Sequence, residues 1–175
     1  VNFFLDHQNY INAFVTGGYN IFLTSSLFIN IDNVDQLASV IAHEIGHITG
    51  GHFDKRIKAS KNSMMIGILS TLLAAGAYAG GSSDAGTAIL LGGQHIGQQR
   101  MLSFSRNQET FADQTAIRLL ENSGYDIQGL YDVLTILERK EKLRNIKRYS
   151  LTHPLTNERK QIISDKISKK KVNNK

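Results

Sequence analysis

The chain of 175 residues is long enough to form one folded domain with its own hydrophobic core. Its composition, 41% hydrophobic and 20% charged residues, is that of a globular protein and excludes a disordered chain. It has no cysteine, so disulfide bonds and thiolate metal sites are excluded, and a transition-metal site must use histidines and carboxylates. Because the chain begins at Val1 without a methionine, we expect upstream sequence to be missing.

The net charge of +5 is unevenly distributed along the chain. Residues 1–137 hold 7 Lys and Arg against 11 Asp and Glu, whereas residues 138–175 hold 13 against 4. We predict one folded domain over residues 1–165 and a basic, disordered tail over 166–175. Such a tail is either solvated or in contact with an anionic surface. No nucleic acid is expected as a partner, because the sequence lacks an aromatic platform or a recognised nucleic-acid-binding module.

Two β-prone runs within residues 13–24 are joined by Gly17 and Gly18. Glycine adopts positive φ at little steric cost, so this pattern predicts a β-hairpin.

A helix is predicted over residues 33–50. Asp32 and Asn33 supply N-cap chemistry, Gly50 and Gly51 supply a stop, and the apolar residues between them recur at helical spacing.

Residues 64–93 contain two apolar, glycine-rich patches, 64–80 and 85–93. A bilayer span needs about 20 apolar residues, and the first patch is shorter than that. We favour a buried or interfacial helical pair over a transmembrane hairpin, and a mobile cover over a site stays open as an alternative. Further helices are predicted at 107–122, 127–145 and 156–170, the last after Pro154, the only proline.

The sequence His43-Glu44-Ile45-Gly46-His47 carries the chemistry. On a helix, positions i and i+4 lie on one face, so both imidazoles can bind a single metal ion. Glu44 then projects beside them, where it can take a proton from a water molecule that zinc has made acidic. The alternative without a metal site is a helix with two solvated or core histidines.

A catalytic zinc site needs a third protein ligand. His52 comes one residue before the position of the third histidine in the metzincin pattern and, on a continuing helix, points away from the pair. We therefore expect it to be a surface histidine. Glu109 is the better candidate, because Asp113 follows it by four residues on a helix that we expect to open near Ser105. One carboxylate can bind the metal while the other accepts an N–H from a ligating imidazole.

Three segments together, His-Glu-Ile-Gly-His at 43–47, Ser-Arg-x-x-Glu-x-x-Ala-Asp at 105–113 and Thr-His-Pro at 152–154, resemble the gluzincin peptidases of the CAAX prenyl protease, HtpX, BepA and Oma family. The resemblance extends from Asn12 to Arg159. It implies an α+β, mainly helical, zincin-like domain with an active-site helix, a small β-hairpin or sheet at the substrate cleft and a helical remainder.

The same resemblance implies that Glu109 is the third ligand of one zinc ion per chain and that Asp113 supports a ligand. It implies that the edge strand of the hairpin, at Asn12, Ala13 and Phe14, binds an extended protein or peptide substrate. The short apolar run favours the soluble, BepA-like branch over the transmembrane ones. We therefore expect a periplasmic or other extracytoplasmic, membrane-associated location, with membrane-surface contact through residues 64–93 and the basic tail.

Four further positions have alternatives. The resemblance places His153 near the metal, where it would stabilise an oxyanion or block the open coordination position; otherwise it is a loop histidine. Arg106 either braces Glu109 or Asp113 through an ion pair or is exposed. His7 and His95 have no partner visible in the sequence, and we expect both to be structural or solvent-facing.

The pattern predicts a zinc-dependent metalloendopeptidase that acts on unfolded or misassembled proteins near a membrane. The alternative is a non-hydrolytic zinc-binding chaperone or scaffold, in which the open zinc position is blocked.

Overall fold

The computed structural model describes residues 1–144, 149 and 152–173. The chain divides into two compact units, residues 1–53 with 108–175 and residues 54–107. The strands within the described residues are β1 (Asn2–Asp6), β2 (Ala13–Thr16) and β3 (Asn20–Thr24). The helices are α1 (Ser25–Asn30), α2 (Val34–Thr49), α3 (His52–Ala79), α4 (Ser83–Ser123), α5 (Gln128–Arg144) and α6 (Asn157–Asn173). The predicted class, mainly helical with a small sheet, is confirmed.

The three strands form one sheet in the order β1-β3-β2. β2 and β3 are the predicted hairpin, paired antiparallel with Ala13 opposite Leu23. Its turn takes positive φ at Gly18 (80°) and also at Tyr19 (58°). β1 was not predicted, and it pairs in parallel with β3. This order leaves β2 at one edge of the sheet.

Helix α2 lies between the two hydrophobic clusters of the first unit. Val40 belongs to the cluster that includes the sheet residues Ala13 and Ile21, and Ala42 belongs to the cluster that includes Leu120 and Ile163. The predicted helix over 33–50 is confirmed, and the side chain of Asn33 caps it by accepting a hydrogen bond from the amide N–H of Gln36 at 3.0 Å. These apolar contacts on two sides fix the position of α2 and of the polar side chains that it carries.

Helices α2 and α4 approach each other backbone to backbone at Gly46. A Cβ atom at this position would lie 2.8 Å from both the Cα and the carbonyl oxygen of Ala112, so no larger residue fits without moving one helix. Ala112 lies between Glu109 and Asp113, and Gly46 lies between Glu44 and His47. The close approach therefore brings the two predicted metal-binding segments together.

The expectation that a helix opens near Ser105 is wrong. α4 is continuous from Ser83, so Glu109 lies well inside a helix rather than in a first turn. The C-terminal helix α6 continues to Asn173, into the segment 166–175 predicted as a tail, and residues 174–175 lie outside the described residues.

The second unit, residues 54–107, is formed by most of α3 and the first part of α4, joined by a short turn with positive φ at Gly81. The two helices approach closely at Gly93, where a Cβ atom would overlap the side chain of Ser70. By length and composition alone, α3 is long and apolar enough to cross a membrane, and 11% of its most apolar window is buried.

Candidate active site

One face of α2 presents the three residues of the His-Glu-x-x-His motif to the interior of the first unit. His43, Glu44 and His47 are 3%, 1% and 2% exposed. Their helical spacing places the two imidazoles edge to face, with ring centroids 4.7 Å apart. Three buried polar side chains in so small a volume need partners, and α4 and the segment before α6 supply them.

The ligand atoms of His43, His47, Glu109 and His153 lie within 4.8 Å of one another, and all four residues are buried. Nε2 of His47 is 3.0 Å from Nε2 of His43 and 3.4 Å from Oε1 of Glu109. Nε2 of His43 is 3.3 Å from Oε2 of Glu109. The structure therefore brings together the three residues predicted as metal ligands and adds His153 beside them.

Asp113 lies where a support for a ligand is expected, since its Oδ1 is 2.9 Å from Nδ1 of His43. The carboxylate also accepts two hydrogen bonds from Arg159, from Nε to Oδ2 at 2.7 Å and from Nη2 to Oδ1 at 2.8 Å. Nη1 of Arg159 is 2.9 Å from Oε2 of Glu109. One buried guanidinium thus braces the carboxylates of both Asp113 and Glu109.

Arg159 was missed by sequence reasoning, which considered Arg106 for this role. The sequence holds one weak signal: Arg159 falls in the first turn of α6, where the helix dipole disfavours a cation, so another interaction is needed to hold it there. Arg106 lies in α4 within the second unit, and its bracing role stays a prediction.

The carboxylates of Glu109 and Asp113 and the buried histidines shift one another's pKa values. Burial by itself lowers the pKa of His43, but the hydrogen bonds and charges of Asp113 and Glu109 outweigh it and raise that pKa to about 9. Burial also opposes ionisation of Glu109 and Asp113, yet the nearby imidazoles and Arg159 hold the pKa of both carboxyl groups below the usual range. The pKa of His47 is lowered, first by burial and then by the charge of His43, which leaves that imidazole neutral.

His153 connects the ligand cluster to the edge strand. Its Nδ1 lies 3.2 Å from Oε2 of Glu109, and its Nε2 lies 3.0 Å from the carbonyl oxygen of Ala13 in β2. Nε2 is also 3.6 Å from Oε1 of Glu44, and the ring stacks on Tyr149 with centroids 4.9 Å apart. His153 is therefore buried beside the candidate catalytic glutamate, rather than exposed on a loop.

The predicted substrate-binding residues lie at the start of β2, next to this cluster. Oδ1 of Asn12 accepts hydrogen bonds from the amide of Ala13 at 3.0 Å and from Oγ1 of Thr152 at 3.4 Å. Phe14 stacks on Phe22 of β3, with ring centroids 5.1 Å apart. Substrate binding by these residues stays a prediction.

The expectation that His52 is a surface histidine is wrong. It is 5% exposed, and its Nδ1 lies 2.8 Å from Nδ1 of His47. α2 ends at Thr49 and Gly51 takes a φ of 59°, so the chain turns back instead of continuing as a helix. His7 and His95 are exposed, as one of the two alternatives for them predicted.

The donor set fits a zinc ion: two imidazoles and a carboxylate converge, with a glutamate alongside. Among the buried charged residues that the structure describes, three carboxylates (Glu44, Glu109 and Asp113) accompany one guanidinium, that of Arg159. Once His43 has lost its proton to bind the metal, a divalent cation would offset the excess of buried carboxylates. A helix bearing this motif, with a buried carboxylate facing it from a second helix, defines a metallopeptidase site.

Comparison with known proteins agrees with that class. Residues 2–167 match the family described as peptidase family M48. The beta-barrel assembly-enhancing protease of Escherichia coli K12 is 39% identical over 168 residues, 90% of this chain and 32% of its own length. Metalloprotease LoiP of the same strain is 30% identical over 90% of this chain and 59% of its own length. A protease HtpX homolog of Thermoplasma volcanium is 30% identical over 71% of this chain and 42% of its own length.

The chain therefore belongs to peptidase family M48 and is a metalloprotease domain. It spans about a third of the length of the beta-barrel assembly-enhancing proteases that it matches.

Replacing Arg159 should destabilise the first unit. Arg159→Ala leaves Asp113 and Glu109 buried without their guanidinium, so we expect the free energy of unfolding to fall by about 3–5 kcal/mol at pH 7. Arg159→Lys keeps the charge but not the paired N–H geometry and should recover part of the loss. Urea unfolding monitored by circular dichroism measures both.

The pH dependence tests the cause. Both carboxyl groups have a lowered pKa in the folded state, so the stability that Arg159 supplies is present above their ordinary pKa values of 3.8 and 4.5 and is lost as pH falls. The deficit of Arg159→Ala should therefore shrink below about pH 4. A deficit independent of pH would contradict the electrostatic explanation. Lys166→Ala, which breaks an exposed ion pair with Glu121, is the control and should cost under about 1 kcal/mol.

Proposed function

We propose that the chain is the catalytic domain of a zinc-dependent endopeptidase. His43, His47 and Glu109 hold one zinc ion, and Glu44 is the general base. The observation that carries the proposal is the convergence of four buried ligand atoms within 4.8 Å of one another, with Glu44 on the same helix face.

The proposed chemistry is a hydrolysis in which protein groups move the protons. Bound zinc would supply Lewis acidity toward a water molecule and the scissile carbonyl. Glu44 takes a proton as the water attacks, then passes it to the nitrogen of the leaving amine. Asp113 and Arg159 hold His43 and Glu109 in position during these steps.

Glu44→Gln should abolish peptide hydrolysis while leaving zinc bound, because the amide cannot accept the proton. We expect kcat to fall by about 10²–10⁴-fold on an unfolded protein substrate. Zinc content by metal analysis, together with Glu109→Ala as a variant that loses the metal, provides the comparison. Cleavage by Glu44→Gln at the rate of the wild type would refute the assignment.

We propose that the substrates are unfolded or misassembled protein segments, laid against β2. β2 is an edge strand whose first residue contacts the site through His153, so an extended segment paired with it would pass close to the zinc ligands. Main-chain pairing tolerates many sequences, which suits protein quality control. The names of the beta-barrel assembly-enhancing relatives support substrates that are incompletely assembled.

One observation favours a second candidate, a zinc-binding chaperone or scaffold with its open coordination position blocked. His153 lies within 3.4 Å of Nε2 of His43 and 3.0 Å of the carbonyl oxygen of Ala13, so it fills the space between the ligands and the edge strand. In a gated protease this block is reversible, whereas in a scaffold it is permanent.

His153→Ala separates the two candidates. If His153 is a reversible block, casein hydrolysis should rise, by about 10-fold if the blocked state holds about nine molecules in ten. A scaffold stays inactive in both forms, and a loss of activity would assign His153 to oxyanion stabilisation instead. His7→Ala, at an exposed histidine, is the control and should match the wild type.

We further propose that the protein is periplasmic or otherwise extracytoplasmic and contacts an anionic membrane through residues 64–93, with the basic segment 166–175 as a second contact. In the second unit, Met64, Leu69, Leu72 and Leu73 are all more than half exposed. These four side chains are spread over adjoining faces of α3, as expected for contact with a bilayer. A helix bound in a groove of a partner protein would bury a single stripe of apolar side chains.

Charge placement supports contact of a bilayer with the helical hairpin, which we define as the parts of α3 and α4 between residues 62 and 99. Between residues 62 and 99, Asp84 is the only Asp, Glu, Lys or Arg in the sequence. Four basic residues shortly precede this stretch and one follows it: Lys55, Arg56, Lys58, Lys61 and Arg100. Apolar side chains along the helices and cations at the end away from the turn match the hydrocarbon and the headgroups of an anionic bilayer.

The double substitution Leu69→Asp with Leu73→Asp should abolish binding to phosphatidylglycerol vesicles in a sedimentation assay. Each carboxylate would be costly in hydrocarbon, so we expect at least about a 100-fold loss of affinity. Leu143→Asp, at an apolar residue 77% exposed outside the hairpin, is the control. Equal binding by the double variant would exclude the hairpin as the membrane contact. The double substitution Lys166→Gln with Lys169→Gln should weaken binding to anionic vesicles but not to uncharged ones.

A further inference from the structure

His52 lies directly behind the imidazole of His47, on the side away from the ligand cluster. Nε2 of His47 faces the cluster, 3.0 Å from Nε2 of His43 and 3.4 Å from Oε1 of Glu109. Nδ1 of His47, on the opposite side of the ring, lies 2.8 Å from Nδ1 of His52. The two ring nitrogens of His47 therefore face different groups: Nε2 faces the ligand cluster, and Nδ1 faces His52.

The surrounding chain holds the His52 imidazole in this place. A Cβ atom at Gly50 would overlap the ring, so glycine there leaves the space that the imidazole occupies. Phe111 packs edge to face on the ring with centroids 5.3 Å apart, and Nε2 of Gln108 donates a hydrogen bond to the backbone carbonyl of His52 at 3.2 Å. His52 thus has packing contacts on its ring and a hydrogen bond on its backbone.

Metal binding decides which of the two histidines donates. An imidazole that binds a metal through Nε2 uses that lone pair and keeps its proton on Nδ1. The Nδ1–H of His47 then needs a buried acceptor at hydrogen-bond distance. Nδ1 of His52 provides one when the proton of His52 is on its own Nε2.

We propose that His52 is a positioning residue for the zinc ligand His47. Its neutral imidazole accepts the Nδ1–H of His47 and fixes both the tautomer and the rotation of that ring, so that the Nε2 lone pair faces His43 and Glu109. The proposal rests on the proposed role of His47 as a metal ligand. Nδ1 of His43 faces a different group, the carboxylate of Asp113, whose Oδ1 lies 2.9 Å away.

The test compares His52→Asn with His52→Leu, which are close in size and shape. The Oδ1 of asparagine is attached at the same branch point as Nδ1 of histidine and can accept the hydrogen bond, whereas leucine cannot. Zinc affinity is measured by competition with a chromogenic chelator, and the cobalt-substituted proteins give a visible spectrum that reports ligand geometry. Neither readout depends on peptidase activity.

We expect His52→Leu to bind zinc about 10–100-fold more weakly than the wild type and to change the cobalt spectrum. His52→Asn should bind close to the wild type, with its spectrum retained. His7→Leu, at an exposed histidine, should leave both measurements unchanged.

Wild-type zinc affinity in His52→Leu would overturn the proposal, and so would equal weakening in His52→Leu and His52→Asn, which would assign the effect to packing. His52→Phe retains the ring against Phe111 without the acceptor, so the comparison with His52→Asn stands even if His52→Leu does not fold. Absence of zinc binding by the wild type would instead refute the proposed zinc site itself, which distinguishes the two failures.

Discussion

The candidate active site depends on the backbone contact between α2 and α4 at Gly46. Because a Cβ atom there would lie 2.8 Å from the backbone of Ala112, the two helices meet at a distance that only glycine allows. Each helix carries its functional side chains within one turn of this contact: His43, Glu44 and His47 on α2, and Glu109 and Asp113 on α4. The close approach of α2 and α4 therefore brings the metal-binding side chains together beside the hydrophobic core.

Packing so many ionisable groups into the interior has an electrostatic cost, which partners offset. Arg159 supplies a paired guanidinium to Asp113 and also contacts Glu109, and the imidazoles supply further favourable interactions. The remaining excess of buried carboxylates favours a divalent cation at this position. In our proposal the two imidazoles of the motif are positioned from behind by different groups, the carboxylate of Asp113 for His43 and the imidazole of His52 for His47.

The two compact units use side chains in opposite ways. The first buries charged and polar residues around a reactive centre, and it sets β2 beside that centre through the contact of His153 with Ala13. The second exposes large apolar side chains, and its two helices approach each other at Gly93 and Ser70. The proposed peptide hydrolysis rests on the buried centre of the first unit, and the proposed membrane contact rests on the exposed apolar side chains of the second.

Local sequence patterns determined α2 and the β2–β3 hairpin. They also determined that His43 and His47 share one helix face and that Glu109 and Asp113 share another, since each of these features depends on spacing over a few residues. Tertiary structure alone decided β1, because parallel pairing joins segments distant in sequence. It also decided the roles of Arg159 and His52. Arg159 reaches Asp113 from 46 residues away, and His52 returns to His47 only because the chain reverses at Gly51. Periodicity describes which residues share a face of one element, but it carries no information about what folds back to meet that face.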